Sequence, residues 1–166
     1  MNRARPSPRS ISLAVVLVAA MGCSALQPHT ITGVQAQAVR DTVIALENAT
    51  DLAVDRLDCP AAFEHIDDEE PIFVSSGRVF RTRAAFRGAC DTMITPRTGA
   101  AFATDTVSAH VLSSDAAFVV REGVYTVNFK DGSSRRSYVI MTSVWARQDG
   151  AWKMVHLHES SHALAP

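Results

Sequence analysis

The sequence is poor in residues that advertise a particular chemistry. Only three cysteines occur in 166 residues, with no Cys-x-x-Cys pair and no Cys/His spacing of the zinc type, so neither a structural zinc nor a dithiol redox centre is expected. Sixteen basic and seventeen acidic residues leave a net charge of -1, which lacks the positive footprint of a nucleic-acid binder. No nucleophile motif, phosphate-binding loop, internal repeat or low-complexity tract is present. No cofactor is therefore expected. Charged residues make up 20% of the chain and hydrophobic residues 47%, the balance of one ordinary globular domain.

The N-terminus differs in character. Arg3, Arg5 and Arg9 precede an uncharged run from Ile11 to Met21. A basic head followed by about eleven apolar residues is too short to span a bilayer and suits the core of a secretory signal. The run ends in Ala20-Met21-Gly22-Cys23-Ser24, which resembles the lipobox of bacterial lipoproteins, where the cysteine thiol carries a lipid. Residues 1–23 are thus expected to be a signal peptide of lipoprotein type, with Cys23 as the lipidation site. A plain signal, cleaved near Cys23-Ser24-Ala25, is the alternative. Residues 24–33 are small, polar and Pro-bearing and read as a tether. Export to the periplasm or cell envelope follows, with membrane contact only through the lipid. In that oxidising setting Cys59 and Cys90 either pair or stay as two buried thiols.

From Val34 to about Leu57 apolar residues recur near a helical period at Val39, Val43, Leu46, Val54 and Leu57, predicting a long amphipathic helix. Pro60 opens a second, short helix expected to carry Phe63 and Ile66. Ile72-Phe73-Val74-Ser75 and Val79-Phe80 read as a small hairpin, and Thr82 as the cap of a third helix over 83–93. After Pro96 the period changes. Residues 102–112, 115–129, 135–147 and 151–162 read as four long strands, joined by turns at Ser113-Ser114, Asp131-Gly132 and Asp149-Gly150. Helices followed by hairpins predict an α+β domain: a curved antiparallel sheet with the helices folded over a cone-shaped interior.

That order of elements, over roughly residues 34–162, resembles the nuclear transport factor 2-like fold. The closing segment, Trp145-Ala146-Arg147-Gln148-Asp149-Gly150-Ala151-Trp152 followed by Val155-His156-Leu157-His158-Glu159-Ser160, is similar to the last hairpin of the SnoaL-like group. It is also similar to that of the calcium/calmodulin-dependent kinase association domain. In the latter the resemblance implies a pocket lined by arginines at positions matching Arg121, Ser143 and Glu159. Only one arginine remains here. Such a motif specifies a fold and leaves the activity open.

Alternation along the strands places Arg121, Tyr125, Ser143, Trp145 and Glu159 on one face, taken as the inward one. Turn lengths at Asp131-Gly132 and Asp149-Gly150 put Arg121 opposite Ser143, and Ser143 opposite Val155. These five residues and His110 are the candidate ligand-binding set, with Arg121 and Glu159 expected to neutralise each other or to anchor a small molecule. His156 and His158 share a face, which invites a metal, but they point outward with Trp152 and no metal site is expected. Phe118, Val120, Val124, Ile140 and Val144 on the outer face call for a cover, and a homodimer is the simplest one.

Three functions fit this reading. The first is an exported, homodimeric binding domain for a small molecule. The second is an isomerase, dehydratase or cyclase using His110, Glu159 or an acid near Asp55 as proton carrier, for which Asp58, His65 and Asp67 are further candidates. The third is a protein-interaction module with a vestigial pocket.

Overall fold

A computed structural model describes residues 31–165. The expected signal peptide, with Cys23, lies outside these residues. Among those described, no helix is long and apolar enough to cross a membrane.

Helix α1 (Gly33–Asp55) starts where Thr32 accepts the Gln35 backbone N–H and the Gln35 side chain reaches back to the cap, a reciprocal capping box. Helix α2 (Cys59–Ala62) is a single turn capped by Asp58. It is shorter than expected: Phe63 is its C-cap, and Ile66 lies beyond it in a parallel bridge to Met154. Strands β1 (Ile72–Ser75) and β2 (Arg78–Phe80) form a small hairpin, and helix α3 (Arg83–Ile94) starts on Thr82. Four long strands follow: β3 (Arg97–Ser113), β4 (Ala116–Phe129), β5 (Ser134–Gln148) and β6 (Ala151–Ala163). At the β5–β6 turn Asp149 and Gly150 both have positive φ, as a two-residue hairpin connection requires.

The six strands form one sheet in the order β2-β1-β6-β5-β4-β3. Strand β1 joins β6 in parallel while the long strands pair antiparallel. The sheet is curved and unclosed, and its odd-numbered positions on β4 and β5 face the helices. Ala117, Val119, Val139 and Trp145 are accordingly buried, and Val107, Ala109 and Val111 of β3 pack against the same core.

The register differs from the turn-length expectation by two residues at each hairpin. Arg121 lies opposite Met141, and Ser143 opposite Leu157. A bulge causes a second difference: Val144 pairs with His156 but Trp145 with Met154, so Val155 is the extra residue. The bulge switches the faces of β6. Trp152 and Met154 therefore turn inward to the core, and Trp152 does not share the outer face of His156 and His158.

The roof is tied together at two places. Phe86 of α3 sits 4.9–5.0 Å from the rings of Phe63, Phe73 and Phe80. Cys59 and Cys90 form a disulfide that links α2 to α3 across 31 residues. Cys90 is the one buried residue of α3, so the covalent link and the Phe86 cluster carry most of that helix's attachment.

Candidate functional site

Between helices and sheet lies a cavity of about 970 Å³. Its wall is mostly apolar, with Phe63, Phe86, Val127, Val139, Met141 and Leu157 among the lining residues. Two polar clusters stand on the inner face, and they behave differently.

The first cluster lies at the Trp145 end, where α1 rests on the sheet. Val39, Val43 and Glu47 follow one another at four-residue steps, so the stripe that buries two valines also buries a carboxylate. Glu47 is 5% exposed. It accepts hydrogen bonds from the Ser143 hydroxyl and, at 2.7 Å, from Trp145 Nε1. One turn on, Asp51 forms an ion pair with Arg121, which is 2% exposed, and Asn48 accepts a bond from Arg121 at 3.0 Å. Burial lowers the Arg121 pKa and the nearby charge of Glu47 opposes that shift. Arg121 Nε has no hydrogen-bond partner, but the guanidinium as a whole is neutralised.

These contacts overturn the expected pairing of Arg121 with Glu159. In register the two residues flank Met141 on neighbouring strands, and α1 supplies the acid that Arg121 needs. Arg121, Ser143 and Trp145 sit behind the cavity wall and do not line it.

The second cluster lies where β3 begins and β4 ends. Arg97 NH1 donates to the Tyr125 hydroxyl at 2.9 Å, and its guanidinium lies 5.8 Å from the centre of the Tyr125 ring. Arg97 Nε is buried and has no partner. Burial raises the Tyr125 pKa, while the charge and hydrogen bond of Arg97 pull it back. Glu159 shares this cavity. Its Oε2 accepts from the Ser75 hydroxyl at 3.3 Å. Burial pushes its carboxyl above the usual carboxylate range, with Ser75 and Arg97 opposing the shift. Asp55 accepts the Phe102 backbone N–H at 3.0 Å and is likewise raised by burial.

Of the residues expected to touch a ligand, Tyr125 and Glu159 line the cavity. His110 does not. It stacks on Phe118 at 4.6 Å on the outer face, exposed, because it is an even-numbered residue of β3 paired with an even-numbered residue of β4. Among the described residues no group of three or more His, Cys, Asp or Glu is placed to hold a metal. Sequence reasoning missed Glu47, Asp51 and Arg97. An acid at each four-residue step along an apolar stripe was the available signal for the first two.

An α+β cone with helices over a curved sheet and a cavity between them is the architecture of the nuclear transport factor 2-like fold. Within that architecture the chain belongs to the SnoaL-like domain family, whose sequence model matches residues 39–164. Solved structures agree on the fold. A protein assigned as a scytalone dehydratase from Novosphingobium aromaticivorans is 11% identical, with 79% of this chain and 89% of that chain covered and a TM-score of 0.72. A hexachlorocyclohexane dehydrochlorinase from Novosphingobium barchaimii is 14% identical, covering 81% and 95% at a TM-score of 0.69. A protein assigned as a calcium/calmodulin-dependent protein kinase II association domain from Xanthomonas campestris is 17% identical, covering 73% and 86% at 0.65. Among curated proteins none matches the sequence.

Proposed function

We propose that the protein is a small-molecule-binding domain, exported and held at the cell envelope by a lipid on Cys23, that acts as a homodimer. The cavity carries the reading. Its volume suits a small organic ligand, its wall is mostly apolar, and among its polar groups Arg97, Tyr125 and Glu159 stand together where they would fix orientation. The homodimer rests on the outer face of the sheet, where Phe118, Val120, Val124 and Val144 are only partly buried and Ile140 is exposed in the single chain.

A second reading has its own support. Glu159 is a cavity carboxyl with a raised pKa near Tyr125 and Arg97, a combination suited to moving a proton on a bound molecule. An isomerase or lyase is the enzyme class that this would serve. Solved structures of the same fold include proteins assigned as a dehydratase and a dehydrochlorinase.

Native mass spectrometry of the protein as purified tests the first reading. A retained small molecule, lost on unfolding, is the expected result. A bare polypeptide mass, together with no rise in melting temperature across a panel of small apolar compounds, contradicts it.

A further inference from the structure

Arg97 is a cation without an anion. The described residues contain two ion pairs, Arg83–Asp68 and Arg121–Asp51, and Arg97 belongs to neither. Its NH1 is committed to Tyr125 and its ring-stacked position is fixed, yet its Nε is buried and unpaired. The residue as a whole is half-buried, but a buried donor left unused is costly unless something completes it. The nearest candidate within the chain is Glu159, which stays out of ion-pair contact and takes its hydrogen bond from Ser75 instead.

The unused edge of the guanidinium has a definite chemistry. Nε–H and the adjoining NH2 form the side-on fork that receives the two oxygens of a carboxylate. Because the Tyr125 oxygen accepts from Arg97, its own proton is left to donate to the same group. Arg78 and Arg135 also line the cavity, held over the rings of Phe80 and Phe129 at 5.1 and 5.2 Å. They add positive potential without closing the site. Beyond these groups the wall is mostly apolar, with Val127, Val139, Met141 and Leu157, while the acids Glu47, Asp51 and Asp58 line it from α1 and from the cap of α2.

We infer that the cavity takes a carboxylic acid with a largely apolar body, its carboxylate seated on the Nε edge of Arg97 beside Tyr125. The inference deepens the small-molecule reading and rests on it. It places the anion holder on β3 rather than at Arg121, whose charge Asp51 already neutralises. Glu159, one of the acids lining this cavity, is raised by burial, which favours its protonated form when a ligand carboxylate arrives beside it.

Calorimetric titration of the purified protein with decanoate, decan-1-ol and decylammonium at neutral pH tests it. Decanoate should bind about tenfold more tightly than either of the others, a margin set by one charge-assisted fork. Arg97→Gln should abolish that preference and leave decan-1-ol binding unchanged. Tyr125→Phe keeps the ring against Arg97, and losing the hydroxyl should weaken decanoate about threefold. Equal affinity for the three probes overturns the inference and leaves the small-molecule reading standing, as does a decanoate preference that both variants retain. Failure of all three to bind removes the reading beneath it as well.

Discussion

The two polar clusters of the cone are made of the same residue types and are built to opposite ends. At the Trp145 end each charged group meets its complement: Glu47 receives Ser143 and Trp145, and Asp51 and Asn48 receive Arg121. At the Arg97 end, although a buried guanidinium Nε lacks a partner in both clusters, no ion pair forms among the described residues: Arg97 is held by Tyr125 alone, and the Glu159 carboxyl is raised by burial. A completed network stabilises a unique packing of α1 on the sheet. An incomplete one, on the wall of a cavity, is where a ligand has something to contribute. Burial alone therefore does not identify the site: Arg121 is the more buried arginine and the less available one.

The largest expected effect breaks the completed cluster. Arg121→Ala removes the cation beside Asp51 and the buried Glu47, and the loss of one partner from a buried pair costs about 3–5 kcal/mol, less to the extent that Asp51 reaches solvent. A chemical denaturation midpoint that falls accordingly, at unchanged slope, supports the assignment. A loss below about 1 kcal/mol, typical of exposed pairs, would place Arg121 among groups that solvent can serve.

The smaller effect sharpens the other side of the comparison. Burial raises the Glu159 pKa in the folded protein, so its contribution is favourable below the usual carboxylate range, where the group is protonated in both states. That contribution is lost as pH rises through the folded-state value. Glu159→Gln removes the charged form. Melting temperatures should thus be higher for the variant than for the parent near neutral pH, and the gap should close as the pH is lowered towards 4. A gap that instead widens on acidification would mean that the carboxylate is stabilised by the fold.

Most of the architecture was legible because it depends on periodicity. The helical stripe of α1, the cap Thr82 and the Asp-Gly turns each encode a local structure that the fold kept, whereas the capping box at Thr32 falls in a stretch read as tether. The expected inner face of β4 and β5 also held, since alternation carries from one end of a strand to the other. What failed was counting across connections. The bulge at Val155 adds one residue to β6 with no glycine or proline to mark it, and so the faces of Trp152 and Met154 were inverted. Arg97 was hidden for a related reason. The strand was expected to begin at 102, but β3 starts at Arg97, directly after Pro96.

The partner of Arg121 was illegible for a different reason. The family likeness drew attention to strand positions, where Arg121 and Glu159 looked like neighbours. In space, the strand between them contributes Met141, and the helix packed across the sheet contributes Asp51. Which acid reaches a buried arginine is decided by tertiary packing, and a long helix laid over a concave sheet brings residues 70 positions apart into contact.

A crystal structure of the protein with decanoate bound is the most direct test of the contrast between the two clusters. The account predicts the carboxylate on the Nε edge of Arg97, within hydrogen-bond distance of the Tyr125 hydroxyl, with the chain along Met141 and Leu157 and the Arg121–Asp51 pair undisturbed. A carboxylate bound instead to Arg121, with Asp51 displaced, would contradict it.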